Sequence, residues 1–122
     1  MYKLEYVLKR PTLSTKWYQQ SEERTVEHKK ASQIFHDWLR QQERVEAHST
    51  FSSDGLTYKW TMVFDDEEHY NDYERQFKEL ISDEPFNGIP ITSFPCLLEY
   101  HKKHGIECSL PENEILEKPF EI

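Results

Sequence analysis

The sequence predicts an α+β protein in which two helices lie on one face of a four-stranded antiparallel sheet. Three observations lead there. An Asp54-Gly55 dipeptide separates two segments of alternating hydrophobicity, apolar residues recur at helical spacing in two stretches, and further alternating segments stand near both ends of the chain.

Taken in order, Tyr2 to Lys9 reads as a first strand, with Tyr2, Leu4, Tyr6 and Leu8 on one face and mostly charged residues opposite. It stops at Arg10-Pro11. A polar connection follows whose Trp17 and Tyr18 are expected to pack against a helix end rather than face a partner. Val26, Ala31, Ile34, Phe35, Trp38 and Leu39 then recur at helical spacing, which predicts a helix from Ser21 or Thr25 to about Arg44. Asp54-Gly55 suits the positive φ angles of a type I′ turn, and such a turn sets a register. On one face Phe51 pairs with Tyr58, Ser49 with Trp60, Ala47 with Met62 and Val45 with Phe64; on the other Thr50 pairs with Lys59, His48 with Thr61 and Glu46 with Val63. Turn chemistry and alternation agree independently.

Asp65 with Glu68 three residues on resembles a capping box, and it opens a second helix whose buried stripe is Tyr70, Tyr73, Phe77, Leu80 and Ile81. Pro85 and Asn87-Gly88 end that helix near Ser82. A last strand is expected at Ser93 to His101, with Phe94, Cys96, Leu98 and Tyr100 on one face and Pro95 suited to a sheet edge. The resulting order, βαββαβ, is ferredoxin-like. Right-handed crossovers place the first and third strands at the centre and the second and fourth at the edges. Residues 1–104 make up the domain, and residues 105–122 form an acidic tail whose apolar residues, among them Ile106, Leu110 and Phe120, would dock it on the domain or on a neighbouring subunit.

A chain of 122 residues has room for one core, and 17 aromatics supply bulk that the polar composition conceals. There is no apolar run of about 18 residues and no basic-then-apolar leader, so no membrane contact and a cytoplasmic location are expected. Cys96 and Cys108 fall in no paired motif and read as free thiols. The net charge is −8, and residues 65–84 hold nine acids against two bases. Such a balance disfavours direct nucleic-acid binding, which draws its affinity from Lys and Arg on phosphate.

The stretch Trp60-Thr61-Met62-Val63-Phe64-Asp65-Asp66-Glu67-Glu68-His69-Tyr70-Asn71-Asp72-Tyr73 resembles the dimeric α+β barrel superfamily, which includes antibiotic-biosynthesis-type monooxygenases and related isomerases. The resemblance lies in a strand ending on an aromatic-Asp step and a helix that opens with acids and carries aromatics. It implies a homodimer packed sheet against sheet, with the polar sheet face turned inward. Here that face would carry Lys3, Glu5, Lys9, Glu46, His48, Thr50, Lys59, Thr61, Val63, Glu99 and His101. It also implies a cofactor-free oxygenase or isomerase acting on a small aromatic or polyketide-like compound. The acidic tail departs from that pattern, and no residue here matches a catalytic position of the family.

Reactive constellations are sparse. His101-x-x-His104 is the one close histidine pair, without a third ligand, so no metal or other cofactor is expected and the histidines read as surface groups. His48, on the polar face, is a candidate general base as well as a solvated strand residue. No Gly-rich phosphate loop and no Ser-His-Asp or Cys-His grouping emerges. These absences favour a non-catalytic binding or accessory protein over the oxygenase or isomerase, with a nucleic-acid mimic that occupies a basic partner protein as a third reading. The weak binding candidates are His48 and Lys59 on the sheet face, and Asp72 and Glu79 on the acidic helix. A pocket between helices and sheet lined by Tyr2, Tyr6, Tyr58 and Trp60 would favour the enzyme, whereas a filled core would favour binding through the surface.

Overall fold

The computed structural model describes residues 1–108, so most of the expected tail lies outside the described residues. The strands are β1 (Tyr2–Lys9), β2 (Glu46–Phe51), β3 (Thr57–Phe64) and β4 (Glu107–Cys108), and the helices are α1 (Val26–Arg40), α2 (Glu67–Ile81) and α3 (Pro95–His104). Short 3-10 turns occupy Tyr18–Gln20 and Ile91–Ser93. The strands form one antiparallel sheet in the order β2-β3-β1-β4, which puts the first and third strands at the centre. An extra helix and a two-residue fourth strand keep the arrangement from being strictly βαββαβ.

Hairpin register follows the expected pairs: Phe51 lies opposite Tyr58, Ser49 opposite Trp60, Ala47 opposite Met62 and Thr50 opposite Lys59. The turn itself differs from type I′. Gly55 has φ +74° but Asp54 is not in the positive region, and the ladder closes between Ser52 and Thr57. Asp54 directs its carboxylate to the Ser52 hydroxyl and the Leu56 amide instead. One residue from each strand has moved into the loop, and a symmetric change of that kind leaves the pairs from Phe51 with Tyr58 to Glu46 with Val63 in place; β2 begins at Glu46, so the expected pair of Val45 with Phe64 is not part of the ladder.

The expected strand at Ser93 to His101 is the 3-10 turn and α3. Its apolar residues fit both periods, and the burial decides: Leu97, Tyr100 and His101 are buried at helical spacing, while Leu98 is exposed. Pro95 is the first helical residue, where its missing N–H costs nothing. Gly105 closes the helix at φ +69°, and Ile106 N–H returns to His101 O at 2.9 Å. Glu99 and His101 therefore do not belong to the polar sheet face.

Helix α1 begins where Thr25 Oγ1 accepts from His28 N–H at 3.1 Å. Its buried side is rotated from the expected stripe: Val26 is 70% exposed and Ile34 38%, whereas His28, Ala31 and Phe35 are buried. Helix α2 is capped by Asp66 rather than Asp65, with Asp66 Oδ1 accepting from His69 N–H at 2.8 Å and Asp65 N–H donating back to His69 Nδ1 at 3.0 Å. Asp65, one residue before the cap, forms an ion pair with Arg44.

Three apolar clusters make up the interior, the first and third joined through Trp38, Leu39 and Phe77. Tyr2, Leu4, Met62 and Phe64 pack with Tyr70 and Tyr73 at one end of the sheet. Trp17, Tyr18, Leu97, Tyr100 and Ile106 close the other end. Ala31, Phe35, Ile81, Phe86 and Ile91 form an upper layer between α1, α2 and the segment before α3.

Candidate functional site

Between these clusters lies a cavity of about 620 Å³. Its floor is the apolar sheet face, with Leu4, Tyr6 and Leu8 from β1 and Tyr58, Trp60 and Met62 from β3. Strand alternation places those six side chains together, because the β1–β3 register sets Tyr6 against Trp60 and Leu8 against Tyr58. Helix α1 contributes His28, Ser32, Phe35 and His36, whose spacing of four, seven and eight residues marks a single helical edge. The opposing wall comes from Tyr70, Tyr73, Glu74 and Phe77 of α2, and α3 adds Leu97 and His101.

Burial keeps the cavity's tyrosines protonated. It raises the pKa of Tyr6, with Glu74 adding to the effect, and it raises Tyr58, Tyr70 and Tyr73 in the same direction. Glu74 is joined to Lys78 at 3.0 Å. Burial, followed by the charge of Arg24, pushes His28 down to about 4, and burial alone lowers His101. Both imidazoles are neutral at pH 7.

The two histidines are each engaged at Nδ1. Arg24 Nε donates to His28 Nδ1 at 3.2 Å, and His101 Nδ1 lies 2.8 Å from Cys108 Sγ. The Cys108 thiol, pushed up to about 11 by burial, keeps its proton at pH 7, and which of the two atoms donates follows the tautomer of His101. A neutral imidazole that accepts at Nδ1 carries its hydrogen on Nε2, so His28, which accepts from Arg24, presents a donor on its other nitrogen. Cys108 and His101 thus form a grouping that the sequence order did not suggest, in the form of a neutral thiol and a neutral ring. His104 turns elsewhere, with Nε2 2.6 Å from Glu23 Oε2. Among the described residues no three His, Cys, Asp or Glu side chains gather as a metal site.

The binding candidates read from sequence lie outside this cavity. His48 is exposed on β2, 3.6 Å from Glu46, and Lys59 is exposed on β3, 3.6 Å from Glu5. They are diagonal neighbours on the outer sheet face, since His48 pairs with Thr61 and Thr50 with Lys59. Asp72 binds Arg75 at 2.9 Å on α2, and Glu79 is exposed seven residues on. The sheet separates the two pairs of residues. Of the four aromatics expected around a pocket, Tyr6, Tyr58 and Trp60 line it, whereas Tyr2 is packed away, stacked 4.8 Å from Tyr70. His28 and Glu74 were not singled out, and His101, expected on the polar sheet face, lies instead on α3 in the cavity wall. The usable signal was the polar edge His28-x-x-x-Ser32-x-x-x-His36 on a helix that otherwise reads as core-facing.

No family model matches the chain, and no curated protein or solved structure matches it.

Proposed function

We propose that this protein binds a small organic molecule with a largely aromatic or aliphatic body in the cavity between sheet and helices, and acts as a binding or accessory protein. The observation that carries this reading is the cavity itself. Its volume of about 620 Å³ falls in the range of small-molecule sites, and its walls combine aromatic faces with a few polar atoms. The environment-sensitive fluorophore N-phenyl-1-naphthylamine tests it. The wild-type protein brightens the probe on binding, and Ser32→Trp, which fills the cavity from α1, weakens binding about tenfold or more. Absence of binding by a folded wild-type protein overturns the reading.

A second reading, the cofactor-free oxygenase or isomerase, draws support from the same place, because Tyr6, Tyr58 and Trp60 line the cavity as an enzyme of that kind would need. It differs in requiring turnover of the bound compound. With it goes the proposal of a ferredoxin-like homodimer joined through the outer sheet faces, which sedimentation velocity tests directly. The nucleic-acid mimic has less support, because Asp65, Asp72 and Glu74 are engaged by Arg44, Arg75 and Lys78.

A further inference from the structure

His28 and His101 are 2% and 4% exposed, and both line the cavity. Among the described residues neither Nε2 has a hydrogen-bond partner, yet no buried side-chain nitrogen or oxygen there is left unsatisfied. The two Nε2 atoms are therefore accessible, and both side chains border the cavity. A donor in that position is open to a ligand with a lone pair that enters the cavity.

The character of that acceptor follows from the charges around it. Neither imidazole is charged, the one cation among the lining residues, Lys78, is 3.0 Å from Glu74, and Arg24 lies behind His28 on its Nδ1 side rather than in the cavity lining. An anionic oxygen would enter with little to neutralise it and a carboxylate already in the wall. A neutral oxygen avoids that cost and still satisfies the His28 donor. The flat faces of Trp60, Tyr58 and Phe35 suit an aromatic body.

We infer that the ligand is an uncharged aromatic carbonyl compound whose oxygen accepts from the Nε2–H group of His28, with His101 as a further polar contact in the wall of the same cavity. The inference rests on the cavity being a binding site. His28 and His101 act as binding residues, and Arg24 is a positioning residue that fixes the His28 tautomer.

Three naphthalenes of nearly equal size test this at pH 7.5, read by displacement of N-phenyl-1-naphthylamine: 2-acetylnaphthalene, its hydrocarbon analogue 2-isopropenylnaphthalene, and the anion 2-naphthoate. The ketone is expected to bind about tenfold tighter than either. His28→Phe should bring the ratio of ketone to hydrocarbon close to one while leaving hydrocarbon affinity within about twofold. His101→Phe serves as an independent second variant. The carbonyl stretching band of the bound ketone, measured on the wild type, should shift to lower wavenumber relative to hexane. Equal binding of ketone and hydrocarbon, preference for the anion, or an unshifted band overturns the inference while leaving the cavity a binding site. Failure of all three naphthalenes and of the fluorophore overturns the underlying reading instead.

Discussion

An imidazole held at about 4 is a stability statement as well as a description of His28. In the unfolded chain histidine titrates near 6.5, so between about 6.5 and about 4 the unfolded state binds more protons than the folded one. Stability therefore rises with pH across that window, and it is lost as the pH falls through it, by up to about 3 kcal/mol for this residue. His101 and His36, lowered mainly by burial, act with the same sign. Urea unfolding at pH 7 and pH 4.5 should show the loss, and His28→Phe should make the difference between the two smaller. Arg10 is decisive in another way. Its Nε donates to Gly55 O at 2.9 Å, its Nη1 donates to Thr15 O at 2.8 Å, and the guanidinium lies 4.9 Å from the Trp17 ring centre. A lysine ammonium cannot make both bonds and stack, so Arg10→Lys should cost about 1–2 kcal/mol in thermal or urea unfolding despite keeping the charge.

Among the elements, β3 shows how the cavity alters ordinary packing energetics. Phe64 is sealed in an apolar cluster, but Trp60, on the same face, is half-buried with the cavity beside it. Phe64→Ala should cost about 3–5 kcal/mol and Trp60→Ala distinctly less, about 1–2 kcal/mol, as measured by urea unfolding. On the outer face, replacing Thr50 and Lys59 together by Ala should change monomer stability by less than about 1 kcal/mol. The hairpin was legible because turn residues and alternation constrained one register from two directions. The segment after Gly88 was not. Phe94, Cys96, Leu98 and Tyr100 satisfy a two-residue period, while Leu97, Tyr100 and His101 satisfy a helical one, and a proline is tolerated both at an edge strand and at the first turn of a helix. The following Gly105 was the discriminating residue, because a left-handed glycine after Lys102, Lys103 and His104 marks the end of a helix. Gly105→Ala should accordingly destabilise the protein by about 1 kcal/mol or more. The site was less legible than the fold, since burial of His28 and His101 depends on α1 and α3 facing a cavity that no periodicity records.

For the molecule as a whole, the division of the apolar interior into three clusters has a consequence for its fluctuations. The inner side of α1 meets the upper cluster through Ala31 and Phe35 and the sheet cluster through Trp38 and Leu39 near its C-terminal end, and along His28, Ser32 and His36 it borders the cavity. The central strands β1 and β3 are paired along their whole length, from Tyr2 with Phe64 to Lys9 with Thr57. In the empty protein the amides of α1 should therefore exchange with solvent deuterium through a local opening, well before those of β1 and β3, which wait for global unfolding. A bound ligand bridges the sheet to α1 and removes that difference. Its largest protection should appear along Val26–Arg40 rather than in the strands it also touches, so that occupancy is reported by how uniformly the chain resists exchange.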